Sequence, residues 1–302
     1  MVNELESEIL RLKQEKGAMI FAHHYQIDEV KAIADHVGDS LEMARIAADS
    51  EADILVICGV SFMAETAKIL SPSKTVLLPN LGAGCPMADM VTADDVRKAK
   101  EADPGLKVVC YVNSSAEVKA ESDICCTSSN ALKVVSNLEA ERILFVPDQN
   151  LGGYVSKQCP EREIAVWRGF CPTHHRVESL DVARTMAKYP NAYLMVHPEC
   201  RPEVLDYADF VGSTSQIINR CRTIEAQTIV IGTEVGVIST IRRENPGKEI
   251  VLLDDVMVCP NMKKTTLEDV YRVLRDGTNA IEVDENIREK AFGAIDAMLK
   301  VR

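Results

Sequence analysis

Three cysteines in this sequence share one local setting, which is an apolar run before the cysteine and a proline directly after it. They are Cys85, Cys171 and Cys259, and they recur at intervals of just under ninety residues. Thiolates are soft ligands that suit metal centres such as iron–sulfur clusters. Because the setting occurs three times, we predict that the three cysteines supply one common metal site.

Further polar residues repeat with the same period, and each one follows a strand-like apolar run or begins a helical pattern. One set is His23, Tyr111 and His197, accompanied two residues later by Tyr25, Asn113 and Glu199, and another is Ser40, Ser128 and Thr214. Several sets in one register predict a triplicated unit of almost ninety residues.

The apolar runs of each repeat are continuous rather than alternating, as in residues 54–57, and helical patterns separate them. This pattern is typical of parallel strands that are buried on both faces. We therefore predict an α/β fold of three homologous αβα units with short parallel sheets, arranged about a pseudo-threefold axis with the active site at the centre. The predicted units span residues 1–86, 87–172 and 173–261, and a tail of residues 262–302 is expected to pack on the first unit.

Some local elements are also predicted. Helical patterns cover residues 4–16, 28–36 and 285–299, and an apolar run at 280–283 indicates a strand. Ser40, Ser128 and Thr214 are candidate helix N-caps, because Ser and Thr favour that position. Functional residues gather at the carboxyl ends of parallel strands, which is where the repeated polar residues lie.

Three cysteines without a fourth favour one kind of metal centre over another. Structural zinc takes four protein ligands, and the chain has no paired CxxC motifs. A four-iron cluster on three cysteines leaves one iron without a protein ligand, which favours Lewis-acid catalysis over electron transfer. Two alternatives stay open, which are a non-catalytic iron–sulfur carrier and a cluster-free sugar-phosphate enzyme.

Composition restricts the classes of partner. The chain has 302 residues, 46% of them hydrophobic, and a formal charge of −12, which disfavours nucleic acids and anionic membranes as partners. Ten cysteines without a recognisable signal peptide indicate a reducing cytoplasm. No apolar run approaches the roughly 20 residues of a membrane span.

Across essentially its whole length the sequence resembles the quinolinate synthase (NadA) family. The resemblance is carried by the motifs AHHYQ at 22–26, GDSL at 38–41, GCPMADM at 84–90, YVNSS at 111–115, HPEC at 197–200 and CPNMK at 259–263. It implies condensation of iminoaspartate (iminosuccinate) with dihydroxyacetone phosphate to quinolinate, with loss of phosphate and two waters, in NAD biosynthesis. It also implies functional coupling to an aspartate oxidase or dehydrogenase that supplies the imine.

The resemblance further implies the roles of individual residues. Cys85, Cys171 and Cys259 would bind one [4Fe–4S] cluster with an open iron. The implied substrate-binding residues are His23, Ser40, Tyr111, Val112, Asn113, Ser128, His174, His197, Pro198, Glu199 and Thr214. The candidates for catalysis are Glu199 as a general base and Tyr25, His23, His197 and Tyr111 in proton transfer, on the assumption that imidazole titrates near neutrality. His24 departs from the Asn that many relatives carry, and we assign it no role.

Overall fold

The computed structural model describes residues 4–301, so residues 1–3 of the predicted first unit and residue 302 of the predicted tail lie outside the description. The chain forms three four-stranded parallel sheets with helices between the strands. This confirms the predicted α/β fold of three similar units.

The bounds of the elements follow the repeat. The first unit contains α1 (Glu4–Glu15), β1 (Ala18–His23), α2 (Asp28–Ile33), β2 (His36–Gly38), α3 (Ser40–Asp49), β3 (Ile54–Cys58), α4 (Ser61–Leu70) and β4 (Thr75–Leu77). The second contains α5 (Ala93–Ala102), β5 (Lys107–Tyr111), α6 (Ala116–Glu121), β6 (Ile124–Cys126), α7 (Ala131–Asn137), β7 (Arg142–Val146), α8 (Gln149–Gln158) and β8 (Glu163–Val166).

The third unit and the C-terminal segment complete the chain. They contain α9 (Pro172–His175), α10 (Ser179–Lys188), β9 (Tyr193–Val196), α11 (Pro202–Leu205), β10 (Phe210–Val211), α12 (Thr214–Thr223), β11 (Thr228–Gly232), α13 (Ile238–Glu244), β12 (Glu249–Leu252), α14 (Leu267–Asp276) and α15 (Glu285–Lys300). The strand order is the same in each sheet, namely β2-β1-β3-β4, β6-β5-β7-β8 and β10-β9-β11-β12.

Each sheet has an edge strand that the sequence patterns did not predict. We expected one helix over residues 28–36, but α2 ends at Ile33 and His36–Gly38 pairs with β1. Asp35 ends the helix and places β2 beside β1. Its backbone N–H donates to the Ile20 carbonyl and its carboxylate accepts the Ile20 N–H, both at 2.8 Å. Asp123 and Asp209 repeat this clamp on β5 and β9.

Two of the three predicted helix caps were displaced by one residue, and the third, Ser128, lies two residues before Asn130, the N-cap of α7. Asp39, not Ser40, caps α3, because its Oδ1 accepts the N–H groups of Leu41 and Glu42 in a capping box. Ser213 likewise caps α12. Ser40 and Thr214 are the first residues of their helices, so their hydroxyls are not used as caps.

The C-terminal segment contacts two units. Helix α14 packs against α1, whereas α15 packs most extensively on α6 of the second unit and also contacts α4 of the first. The strand expected over residues 280–283 is reduced to one bridge between Ala280 and Leu77, with the Ile281 N–H donating to the Val76 carbonyl at 2.8 Å. The exact unit boundaries remain a proposal.

Burial of the strands follows the continuous apolar pattern. Phe21, Val109 and Ile231 lie in the centres of the three sheets with no exposed surface. Their burial stabilises the fold by about 25 cal/mol for each square ångström of apolar surface removed from water. No helix within residues 4–301 combines the length and the apolar character needed to cross a lipid bilayer.

Candidate functional site

The carboxyl ends of the three sheets converge on one cavity of about 140 Å³. Residues from all three units line it. The predicted site residues that line the cavity are His23, Tyr25, Ser40, Cys85, Tyr111, Asn113, Ser128, Cys171, His174, His197, Glu199, Thr214 and Cys259. The triplicated polar positions therefore meet, as parallel α/β units about a common axis require.

Two predicted residues do not line this cavity. Val112 is buried beside it, and its N–H donates to the Cys126 carbonyl at 2.9 Å. Pro198 faces a neighbouring groove between the second and third units. Their suggested contacts with substrate remain predictions.

The three repeated cysteines form one end of the cavity. Among the ten cysteines, which are all free thiols, only Cys85, Cys171 and Cys259 are partly exposed, and the other seven are buried. The N–H of Cys171 donates to Asp148 Oδ2 at 3.1 Å, and the N–H of Cys259 donates to Glu234 Oε1 at 3.0 Å. Buried carboxylates thus fix two of the three cysteine loops.

The thiols at this end are protonated in the absence of a cation. Burial, with the nearby Glu199 and Cys259, raises the pKa of Cys85 to about 12. Burial and then the Glu199 carboxylate raise the pKa of Cys171 well above its usual range. A metal centre would displace these protons, since thiolates and not thiols bind metals. Three thiols that line one cavity fit the three-cysteine site that the sequence predicts.

His23 and His197 have matching hydrogen bonds in two units. Nδ1 of His23 accepts the Tyr25 N–H at 3.2 Å, and Nδ1 of His197 accepts the Glu199 N–H at 3.3 Å. Accepting at Nδ1 places the ring hydrogen on Nε2. Burial is the main cause that lowers the pKa of each imidazole to about 3. Both rings are therefore neutral donors, and the assumption that they titrate near neutrality was wrong.

Glu199 lies at the centre of the site with 3% of its surface exposed. Its Oε2 lies 2.8 Å from His174 Nδ1 and 3.5 Å from His197 Nδ1. Burial alone would raise the pKa of Glu199, but His197 and the hydrogen bond from His174 lower it to about 2. The carboxylate is therefore ionised at neutral pH.

Tyr25 is held by two threonines, one of which was not predicted as a site residue. Its hydroxyl lies 2.7 Å from Thr214 Oγ1 and 2.8 Å from Thr233 Oγ1. Thr233 also contacts His174 Nε2 at 3.0 Å, so it links residues from different units. It directly follows β11, and that position at the carboxyl end of a strand was the available sequence signal. Burial raises the pKa of Tyr25 well above its usual range, so the phenol is neutral.

Hydroxyl groups form the other end of the cavity. Ser40 and Thr214 line it from the first turns of α3 and α12, where backbone N–H groups favour anions. Ser128 Oγ lies 3.2 Å from His197 Nε2. Beside it, Ser129 Oγ lies 2.7 Å from Asp39 Oδ2 and 2.8 Å from Ser213 Oγ, which joins the three units.

Two buried oxygen atoms of the site accept no hydrogen bond from the described part of the chain. They are Asn113 Oδ1 and Glu199 Oε1. Buried polar atoms normally have partners, and a site that leaves them unsatisfied is suited to a ligand that supplies donors. The cavity can thus bind anionic groups at its hydroxyl end, accept protons or hydrogen bonds at its centre, and hold a metal centre at its cysteine end.

Comparison with known proteins identifies similar chains. The profile of the family described as Quinolinate synthetase A protein matches residues 7–300. The chain is 56% identical over 295 residues to the quinolinate synthase of Alkaliphilus metalliredigens, which covers 98% of this chain and 97% of that protein. It is 51% identical over 300 residues to the quinolinate synthase of Caldicellulosiruptor bescii, with 99% of both chains covered. A quinolinate synthase of Clostridium perfringens is 49% identical over 298 residues, with 99% of both chains covered.

Proposed function

The chain belongs to the quinolinate synthetase A protein (NadA) family, and we propose that it condenses iminoaspartate with dihydroxyacetone phosphate to quinolinate, releasing phosphate and two waters. The observation that carries this proposal is the shared cavity. It combines three thiols at one end with neutral imidazoles, phenols and hydroxyls around one buried carboxylate. An aspartate oxidase or dehydrogenase is the proposed source of the imine.

We assign a [4Fe–4S] cluster to Cys85, Cys171 and Cys259. Their thiols come from three units, and they are the partly exposed cysteines of the described chain. When bound, a cluster held by three cysteines supplies a Lewis-acidic iron with an open position for a substrate oxygen or nitrogen.

The substrates are a dicarboxylate and a phosphate ester, so the protein must bind several negative charges. Ser40 and Thr214 offer hydroxyls together with the N-terminal N–H groups of ten-residue helices. The Nε2–H of His23 is a further neutral donor. Neutral donors bind anions here without placing a formal positive charge in a buried site.

Glu199 is the proposed base for isomerising the triose phosphate. His174 holds Oε2 at 2.8 Å, which leaves Oε1 to accept a proton. A pKa of about 2 makes the carboxylate a weak base by itself. A dianionic substrate bound beside it raises that pKa, because like charges disfavour the ionised form, and so makes proton abstraction easier.

Tyr25 and Tyr111 are the proposed proton donors to the departing hydroxyl groups. Burial, followed by the Glu199 charge, raises the pKa of both phenols well above their usual range. Both hydroxyls therefore carry their proton at neutral pH. Both rings are buried, at 9% and 5% exposure.

The replacement Glu199→Gln tests the base assignment. It preserves the size of the side chain but removes the proton acceptor, so we expect turnover to fall by about 100-fold or more. Iron and sulfide per chain should equal those of the wild type after anaerobic purification. The matched control is Glu203→Gln, since Glu203 is an exposed glutamate of the same segment and should leave turnover unchanged. Near-normal turnover in Glu199→Gln would show that the base is another group.

The cluster assignment has its own test. Cys171→Ala should lose most of its iron and sulfide and its visible colour, whereas the buried Cys221→Ala should keep them. A visible spectrum that changes on addition of a small dicarboxylate is expected of the enzyme and not of an iron–sulfur carrier. A colourless wild-type protein with full activity would instead show that the reaction needs no cluster.

A further inference from the structure

Three different ligand types meet at one point of the cavity, and this group shares only Cys171 with the set of three cysteines. They are the Cys171 sulfur, the His174 imidazole and the Glu199 carboxylate, and their ligand atoms all lie within 4.8 Å of one another. His174 Nδ1 lies 3.3 Å from Cys171 Sγ and 2.8 Å from Glu199 Oε2. This cluster of one thiol, one imidazole and one carboxylate needs no residue from the first unit.

Two of the three separations lie near those of a single tetrahedral ion, and the third, between the Cys171 sulfur and the Glu199 oxygen, is at most 4.8 Å, so that it must close by up to about 1.2 Å. Zinc bonds of about 2.3 Å to sulfur and about 2.0–2.2 Å to nitrogen and oxygen place neighbouring ligand atoms about 3.3–3.6 Å apart. The sulfur–nitrogen distance of 3.3 Å is already at that value, and the nitrogen–oxygen distance of 2.8 Å must widen by about half an ångström. Three protein ligands with an open fourth position are typical of zinc sites that retain a water.

Charge balance also favours a divalent ion. One thiolate and one carboxylate neutralise Zn²⁺, while neutral imidazole adds no charge, so the buried site carries no net charge. The Cys171 thiol releases its proton to solvent when the ion binds. The hydrogen on His174 Nδ1 moves to Nε2, where Thr233 Oγ1 lies at 3.0 Å as its acceptor.

We propose that the full-length protein without its iron–sulfur cluster binds one Zn²⁺ ion through Cys171, His174 and Glu199, with water as the fourth ligand. The ion and the cluster exclude each other, because both need the Cys171 sulfur. Zinc bound in this way would block loading of the cluster. This inference does not depend on the proposed reaction, because it concerns metal binding alone.

Co²⁺ is the probe for the site, because it replaces zinc and gives visible bands that report a tetrahedral sulfur-containing centre. Protein prepared without iron should bind one Co²⁺ per chain with a sulfur-to-cobalt charge-transfer band, and Zn²⁺ should abolish the band. His174→Gln and Cys171→Ser should weaken Co²⁺ binding by about 100-fold or more. Cys85→Ser and Cys259→Ser should retain it, although both should fail to assemble the cluster.

His175→Gln is the matched control for His174→Gln. His175 is adjacent but stacks on Phe170 and contacts Asn150, so its replacement should leave Co²⁺ binding unchanged. Circular dichroism checks the folding of each variant, and Glu199→Gln provides a second ligand variant that should also weaken binding if His174→Gln does not fold.

The opposite pattern would overturn the proposal. If Cys85→Ser and Cys259→Ser lose the Co²⁺ bands while His174→Gln keeps them, the ion lies on the three cysteines. Absence of a charge-transfer band in the wild-type protein would equally exclude this site. Neither result bears on turnover by the cluster-loaded protein, so failure here is distinguishable from failure of the proposed function.

Discussion

The cysteine loops of the second and third units are held by buried carboxylates, whereas the loop of the first unit is held by Asn80 Oδ1, which accepts the Gly82 N–H at 3.0 Å, and by Lys264 Nζ, which donates to the Gly82 carbonyl at 2.6 Å. Asp148 accepts the N–H groups of Cys171 and Leu151, at 3.1 and 2.7 Å. Glu234 accepts those of Cys259 and Gly236, at 3.0 and 2.7 Å. The two carboxylates occupy equivalent positions of the repeat, two residues after the ends of β7 and β11.

The equivalent residue of the first unit is Val60, which has no side-chain acceptor. There the N–H of Ser61 donates to the Ala83 carbonyl at 2.8 Å, which ties α4 directly to the loop before Cys85. The same backbone bond occurs in the other two units, where the N–H groups of Gln149 and Val235 donate to the carbonyls of Gly169 and Met257 at 2.7 and 2.8 Å. The first unit therefore keeps this bond and lacks the carboxylate. A buried carboxylate is unfavourable by itself, because its charge is removed from water.

The two carboxylates also differ in whether an ion pair compensates the unfavourable burial of their charge. Lys263 Nζ lies 3.0 Å from Glu234 Oε1 and forms an ion pair with it. Asp148 forms no ion pair with any residue in 4–301, and burial followed by the Glu199 charge raises the pKa of Asp148 well above its usual range. The third unit therefore depends most on its carboxylate, and the first unit depends least on this position.

Glu234→Leu should have the largest effect of three matched replacements. It leaves two buried N–H groups without acceptors and Lys263 without its counter-ion, so we expect a loss of about 3–5 kcal/mol in the free energy of unfolding. Denaturant titration of the cluster-free protein measures this loss. Glu234→Gln, which keeps one acceptor oxygen, should lose less, and equal losses would mean that packing rather than hydrogen bonding is responsible.

Asp148→Leu should have an intermediate effect. Two N–H groups lose their acceptors but no cation is left behind, so the expected loss is about 2–4 kcal/mol. Iron per chain after anaerobic reconstitution should also fall, because the Cys171 loop is no longer fixed. If Asp148→Leu retains full iron content and stability, the carboxylate does not hold that loop.

Val60→Ala should have the smallest effect. It removes two buried methyl groups and no hydrogen bond, so the expected loss is about 1–2 kcal/mol. Iron content should equal that of the wild type, because the Ser61–Ala83 hydrogen bond is unchanged. A loss of iron as large as in Asp148→Leu would remove the distinction between the first unit and the other two.

Features that repeat along the chain could be predicted from the sequence. Features that depend on the environment of a residue in the folded protein could not. The regular spacing of Cys85, Cys171 and Cys259 predicted the three-unit fold and the central cavity, because equivalent positions of similar units meet on a common axis. The low pKa of His23 could not be predicted, since burial in the assembled cavity causes it. Thr233 was missed because its partners, Tyr25 and His174, lie far away in the chain.

One missed signal was present in the sequence itself. Asp35, Asp123 and Asp209 recur with the same period as the cysteines, and each clamps an edge strand to its sheet. The first of them was missed because the predicted helix over residues 28–36 included Asp35. The repeated aspartate therefore forms hydrogen bonds with the backbone of a strand and does not line the cavity.

The Ser129 hydroxyl meets Asp39 and Ser213 at the point where the three units come together. Only one side chain can occupy such a point, so its counterparts must diverge. Leu41 is buried in apolar surroundings, and Ser215 Oγ turns away to Glu42 at 2.9 Å. The threefold symmetry of the repeats is therefore broken at the centre of the molecule. The resulting asymmetric cavity can distinguish the two ends of an unsymmetrical ligand.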